Sequence, residues 1–88
     1  MDALSVRRTG GLLGAVTEGV VDLAAEDPTS ARARALLERV DPAVVQHSEP
    51  RPDRYHYVVD GPGLHVEVHE QDLTPALAEL VDLVLDEG

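Results

Sequence analysis

The sequence contains no cysteine, so it can form neither disulfide bonds nor thiolate metal sites. It also lacks lysine, phenylalanine and tryptophan, and its only aromatic residues are Tyr55 and Tyr57. The apolar fraction is nevertheless 43%, which is too high for a disordered chain. We therefore expect a packed core of leucine, valine and alanine in a single domain that spans residues 1–88.

Long apolar runs are also absent. No stretch approaches the roughly 20 apolar residues that cross a bilayer, and the first residues lack the apolar run of a signal peptide. We therefore expect a soluble, cytoplasmic protein that does not contact membranes. Basic residues are scarce, with seven arginines against 17 acidic residues and a formal net charge of -10. This balance argues against nucleic-acid binding, which requires a basic surface.

The acidic residues from Asp72 to the end of the chain have no basic residue among them. Such a run is typical of a solvated helix face, and the alternative is a docking surface for a basic partner.

Two hairpins are predicted from alternating apolar residues. In the first, strands over residues 4–9 and 15–23 flank the turn Gly10-Gly11-Leu12-Leu13-Gly14, and a change of parity among the valines predicts a β-bulge near Gly19. In the second, strands over residues 55–59 and 64–69 flank a four-residue loop, 60–63. That register pairs Val59 with Leu64, Tyr57 with Val66 and Tyr55 with Val68.

Two helices are predicted, each from a capping residue followed by proline, at Asp27-Pro28 and Thr74-Pro75. Apolar residues at helical spacing follow each start: Ala33, Leu36, Leu37 and Val40, then Leu77, Leu80, Val81, Val84 and Leu85. Asp41-Pro42 ends the first helix. Residues 43–45 form an apolar patch expected to tuck under the sheet, and residues 46–53 an exposed loop. The order ββαββα predicts an α+β fold, with an antiparallel sheet of about four strands and two helices on one face.

No catalytic or metal centre is expected. His56, His65 and His69 share the polar face of the second hairpin, but His65 and His69 lie four residues apart on one strand, about 13 Å at 3.3 Å per residue, and cannot share an ion. No serine occupies a strand-to-helix elbow, and the glycine-rich turn lacks the ending of a phosphate-binding loop. The chain is therefore predicted to be neither an enzyme nor a cofactor-binding protein.

Leu12 and Leu13 lie at the tip of the first turn. They either fold back into the core or are displayed for a partner on a rigid hairpin.

The order and spacing of several motifs resemble the emfourin-like family, small bacterial protein inhibitors of thermolysin-like (protealysin-type) zinc metalloproteases. The resemblance rests on the Gly-Gly-Leu-Leu-Gly turn and on three segments: Asp53-Arg54-Tyr55-His56-Tyr57, His65-Val66-Glu67-Val68 and Leu73-Thr74-Pro75-Ala76-Leu77. It spans nearly the whole chain.

The resemblance implies that two neighbouring loops enter the protease cleft. One would supply apolar side chains to the substrate pockets, here Leu12 and Leu13, and the other a carboxylate to the zinc, here Asp53, with Glu49 and Asp60 as alternates. The alternative interpretation is that Asp53 is a loop residue that pairs with Arg51 or Arg54 and has no role at the zinc. The alternative function is a non-inhibitory interaction domain, a monomer or weak homodimer that associates through the open sheet face or an edge strand.

Overall fold

The computed structural model describes residues 2–10, 14–45, 49 and 54–87. In these residues four strands and two α-helices follow the predicted ββαββα order, which confirms the α+β fold. The strands are β1 (Ala3–Gly10), β2 (Thr17–Asp22), β3 (Tyr55–Gly61) and β4 (Leu64–His69), and the helices are α1 (Pro28–Arg39) and α2 (Pro75–Glu87). Short 3₁₀ helices cover Pro42–Val44 and Glu70–Asp72.

The sheet is antiparallel throughout and has the strand order β2-β1-β3-β4. β1 and β3 therefore lie side by side at its centre, although β2 and α1 separate them in sequence. One face carries the buried residues of all four strands against both helices, since α1 contacts β2 and α2, and α2 contacts β1 and β2. The opposite face, called here the open face, carries residues such as Arg7, Val20 and His65 and is covered by none of the described residues.

Capping side chains set the helix starts as predicted. The Asp27 carboxylate accepts a hydrogen bond from the Ser30 amide at 2.8 Å, and the Thr74 hydroxyl accepts one from the Leu77 amide at 3.3 Å. The Ser30 hydroxyl is buried and donates to the Asp22 carbonyl at 2.7 Å. This bond fastens the start of α1 to the end of β2.

The core consists of aliphatic residues and one tyrosine. It contains Leu4, Val6, Val21, Leu23, Ala33, Leu36, Val45, Tyr57, Val59, Val66, Val68, Leu77, Leu80, Val81 and Val84. Val45 is buried as expected. The rest of the predicted 43–45 patch lies in the 3₁₀ helix Pro42–Val44, which has no buried residue, and Val44 is 61% exposed.

The predicted β-bulge near Gly19 is wrong. β1 and β2 pair without interruption from Ala3 opposite Asp22 to Arg8 opposite Thr17. Gly19 lies on the helix-covered face, where a Cβ atom would be 2.4 Å from the Val84 carbonyl oxygen. The apolar pattern changes there because α2 leaves no space for a side chain, and Val20 points to the open face.

The predicted register of the second hairpin is also wrong, by two residues. Tyr57 faces Val68 and Val59 faces Val66, and the strands continue through Asp60 and Gly61. The turn is therefore the dipeptide Pro62-Gly63. Pro62 has a ring-fixed φ, and Gly63 has a φ of +68°, which L-residues rarely adopt.

Candidate functional site

The turn predicted to carry Leu12 and Leu13 begins at one end of the sheet. There Gly10, the last residue of β1, pairs with Tyr55, the first residue of β3. The segment that leaves β1 and the segment that enters β3 therefore lie next to each other at this end of the sheet. We call it the Gly10 end, defined by Gly10, Gly14, Arg54 and Tyr55.

The two glycines that frame the turn have positive φ angles, +98° at Gly10 and +63° at Gly14. A Cβ atom on Gly10 would lie 2.9 Å from the Arg54 carbonyl oxygen, whereas one on Gly14 would meet no atom within 4 Å. Gly10 is therefore required both by its conformation and by the close approach of β3. Gly14 is favoured by conformation alone.

Four of the predicted site residues, Gly11, Leu12, Leu13 and Asp53, lie outside the described residues. Their neighbours in sequence are described: Gly10 and Gly14 flank the leucines, and Arg54 follows Asp53. Because Gly10 approaches Arg54, both predicted loops connect to the Gly10 end.

Glu49 is exposed, and its contact with Gln71 places it toward the same end. Its backbone carbonyl accepts a hydrogen bond from the Gln71 side-chain amide at 3.1 Å. Gln71 follows β4 by two residues, and the last residue of β4, His69, pairs with His56 beside Tyr55.

Asp60 lies at the opposite end of the sheet. It pairs with Ser5 in β1 and is five residues from Tyr55 along β3, about 17 Å at 3.4 Å per residue. Its carboxylate contacts the His65 ring. Among the described residues, Asp60 therefore lies far along the sheet from Gly10, which pairs with Tyr55.

Glu70 lies at the Gly10 end, and the sequence did not predict it as a site residue. One of its carboxylate oxygens accepts a hydrogen bond from the Tyr55 amide at 3.1 Å, and the other lies 3.6 Å from the Arg54 guanidinium. Fifteen residues separate Glu70 from Tyr55, so no local motif could have indicated the contact.

Arg8 and the two tyrosines form a compact group beside the turn. The Arg8 guanidinium carbon lies 4.6 Å from the Tyr55 ring centroid, and the tyrosine rings meet edge to face at 6.4 Å. Burial raises the pKa of the Tyr57 hydroxyl, against an opposing hydrogen bond from Arg8. The only aromatic residues of the sequence thus support the base of the Gly10 end.

Three histidines, His56, His65 and His69, line the open face of the second hairpin. His56 and His69 are direct partners with ring centroids 4.9 Å apart, and the His56 Nε2 atom lies 3.9 Å from Glu67. A hydrogen bond and the charge of Asp60, together with Glu67, raise the pKa of His65. Among residues 2–10, 14–45, 49 and 54–87, no group of three or more potential ligands is arranged to hold a metal ion.

Comparison with protein families identifies the chain. The emfourin family model matches residues 6–85, from β1 almost to the end of α2. The chain belongs to the emfourin family. Emfourins are known as protein inhibitors of protealysin-type metalloproteases and not as enzymes, which confirms the predicted non-enzymatic class.

Comparison with curated proteins and with solved structures found no match. No helix of the described part of the chain has the length and apolar character needed to cross a membrane.

Proposed function

We propose that this emfourin inhibits a thermolysin-like zinc metalloprotease by placing the Gly10 end of its sheet in the protease cleft. The family match over residues 6–85 supports the class of target. The pairing of Gly10 with Tyr55 is the main support for this choice of surface, because it connects both predicted loops to the same end of the sheet.

The proposed zinc ligand is the Asp53 carboxylate, with Glu49 as the alternate. A catalytic zinc ion keeps one coordination position for the water that attacks the peptide bond. A carboxylate oxygen in that position displaces the water and stops hydrolysis. We assign Asp60 no role, since it lies about 17 Å along β3 from Tyr55.

Leu12 and Leu13 are proposed to fill apolar substrate pockets. Burying one leucine side chain contributes about 1.5–3 kcal/mol, which corresponds to roughly a tenfold to hundredfold change in affinity. The pairing of Gly10 with Tyr55 supports this role, because it places the residue that precedes the turn at the end of the sheet.

An inhibition assay with matched variants tests the role of the turn. Leu13→Asp should raise the inhibition constant against a thermolysin-like protease by roughly a hundredfold or more, because the pocket would receive a charge. Val20→Asp is the control, since Val20 is 61% exposed on the open face. Equal effects of the two substitutions would contradict the assignment.

The carboxylates are tested in the same assay with isosteric amides. Asp53→Asn should weaken inhibition by at least about tenfold, because an amide is a much poorer zinc ligand than a carboxylate. Asp60→Asn should leave inhibition unchanged. A loss with Glu49→Gln and none with Asp53→Asn would move the zinc ligand to Glu49, and a loss with Asp60→Asn alone would contradict the proposed surface.

A second candidate is a non-inhibitory interaction domain that associates through the open face. It is favoured by the exposure of Val20 in the edge strand β2, at 61%, and of Val16 just before that strand, at 54%. Sedimentation velocity distinguishes the two candidates. A stable dimer that Val20→Asp dissociates, combined with no protease inhibition, would favour the second.

A further inference from the structure

The Glu70–Asp72 3₁₀ helix contacts two flanks of the Gly10 end, Glu49 on one side and Arg54-Tyr55 on the other. We propose that Glu70 and Gln71 are positioning residues that hold these flanks in place on the surface offered to the protease zinc. The link to zinc rests on the proposed function. The positioning itself rests on the contacts of the described residues.

Glu70 holds the flank that enters β3. Its two carboxylate oxygens take different partners, the Tyr55 amide at 3.1 Å and the Arg54 guanidinium at 3.6 Å. The side chain of Glu70 is 35% exposed, so water only partly competes for these oxygens. A carboxylate that accepts a hydrogen bond from a backbone amide forms a stronger bond than a neutral acceptor does.

Gln71 holds the other flank. Its side-chain amide donates to the Glu49 carbonyl at 3.1 Å. Glu70 and Gln71 are consecutive, with Cα atoms about 3.8 Å apart across a trans peptide. The two flanks therefore contact consecutive residues of one short 3₁₀ helix, which directly follows β4.

Fastening both flanks lowers the entropic cost of binding. A metal ligand must be held within about 0.5 Å of its productive position by the residues behind it. Residues that are held in place before association lose less conformational freedom when they enter the cleft. Removing the Glu70 contacts should therefore weaken inhibition even though Glu70 itself need not touch the protease.

The first test uses Glu70→Ala and Glu70→Gln in the full chain. Alanine removes both contacts, whereas glutamine keeps an oxygen for the Tyr55 amide. We expect Glu70→Ala to raise the inhibition constant roughly tenfold to hundredfold and Glu70→Gln to restore part of the loss. Glu79→Ala is the control, since Glu79 pairs with Arg32 and Arg39 on the helices. Unchanged inhibition by Glu70→Ala, with a wild type that inhibits, would overturn the proposal.

The second test does not depend on the target protease. Trypsin cleavage after Arg54 should be about tenfold faster in Glu70→Ala than in wild type, while cleavage after Arg34 stays unchanged. Gln71→Glu, which replaces the donor amide by an acceptor of the same shape, should also accelerate cleavage after Arg54. Equal rates in all variants would overturn the positioning. If the wild type does not inhibit but the cleavage rates change as expected, the proposed function fails and the positioning of the segment stands.

Discussion

Gly19 and the Val84 carbonyl approach so closely that a Cβ atom on Gly19 would lie 2.4 Å from the oxygen. A nonbonded contact this short does not occur for a Cβ atom, so any side chain at residue 19 must push α2 away from β2. The contact explains why a strand rich in valine contains a glycine at an inward position.

Gly19→Ala should therefore destabilise the fold by about 1–3 kcal/mol, the usual cost of overpacking a core. Urea denaturation followed by circular dichroism measures the loss. Gly63→Asn is the control, because Gly63 has open space around it and asparagine tolerates its φ of +68°. A Gly19→Ala protein as stable as Gly63→Asn would contradict the packing of α2 against β2.

Leu80 is fully buried in the centre of α2. Leu80→Ala should reduce the free energy of unfolding by about 2–5 kcal/mol, since it removes buried methyl groups and leaves a cavity. Val20→Ala removes methyl groups from the exposed face of β2 and should change stability by less than about 0.5 kcal/mol. The comparison uses the same urea titration, and similar losses for both variants would show that α2 does not face the core.

The elements of this fold were predictable because each has a local signal. Asp27-Pro28 and Thr74-Pro75 mark both helix starts, and alternation marks the strands. The hairpin register was not predictable from alternation. Loops of two and four residues keep Tyr57, Val59, Val66 and Val68 on the same face, so the pattern fits both registers.

The candidate site depends on contacts between residues far apart in sequence. That Gly10 lies beside Arg54 follows from the central pairing of β1 with β3, which no hairpin connects. The family resemblance implied two neighbouring loops, but it did not show that the pairing of β1 with β3 brings them together. Glu70 was missed for the same reason. Asp60 was included because the sequence does not show which end of β3 lies beside the turn between Gly10 and Gly14.

His65 should titrate above its ordinary pKa of about 6.5, because Asp60, followed by Glu67, favours the protonated ring. A folded-state pKa above the unfolded value stabilises the fold below the unfolded pKa, and this contribution is lost as the pH rises through the folded pKa. Proton NMR titration of the imidazole signals should show Asp60→Asn lowering the pKa of His65. A His65 titration that is identical in both proteins would contradict the contact.

The Gly10 end is proposed to occupy the substrate cleft of a thermolysin-like metalloprotease. Steady-state hydrolysis of a peptide substrate, measured at several concentrations of the wild-type chain, tests it most directly. We predict competitive inhibition, in which the apparent KM rises with inhibitor concentration while kcat is unchanged. Full protease activity at a molar excess of the chain, or a fall in kcat at constant KM, would contradict it.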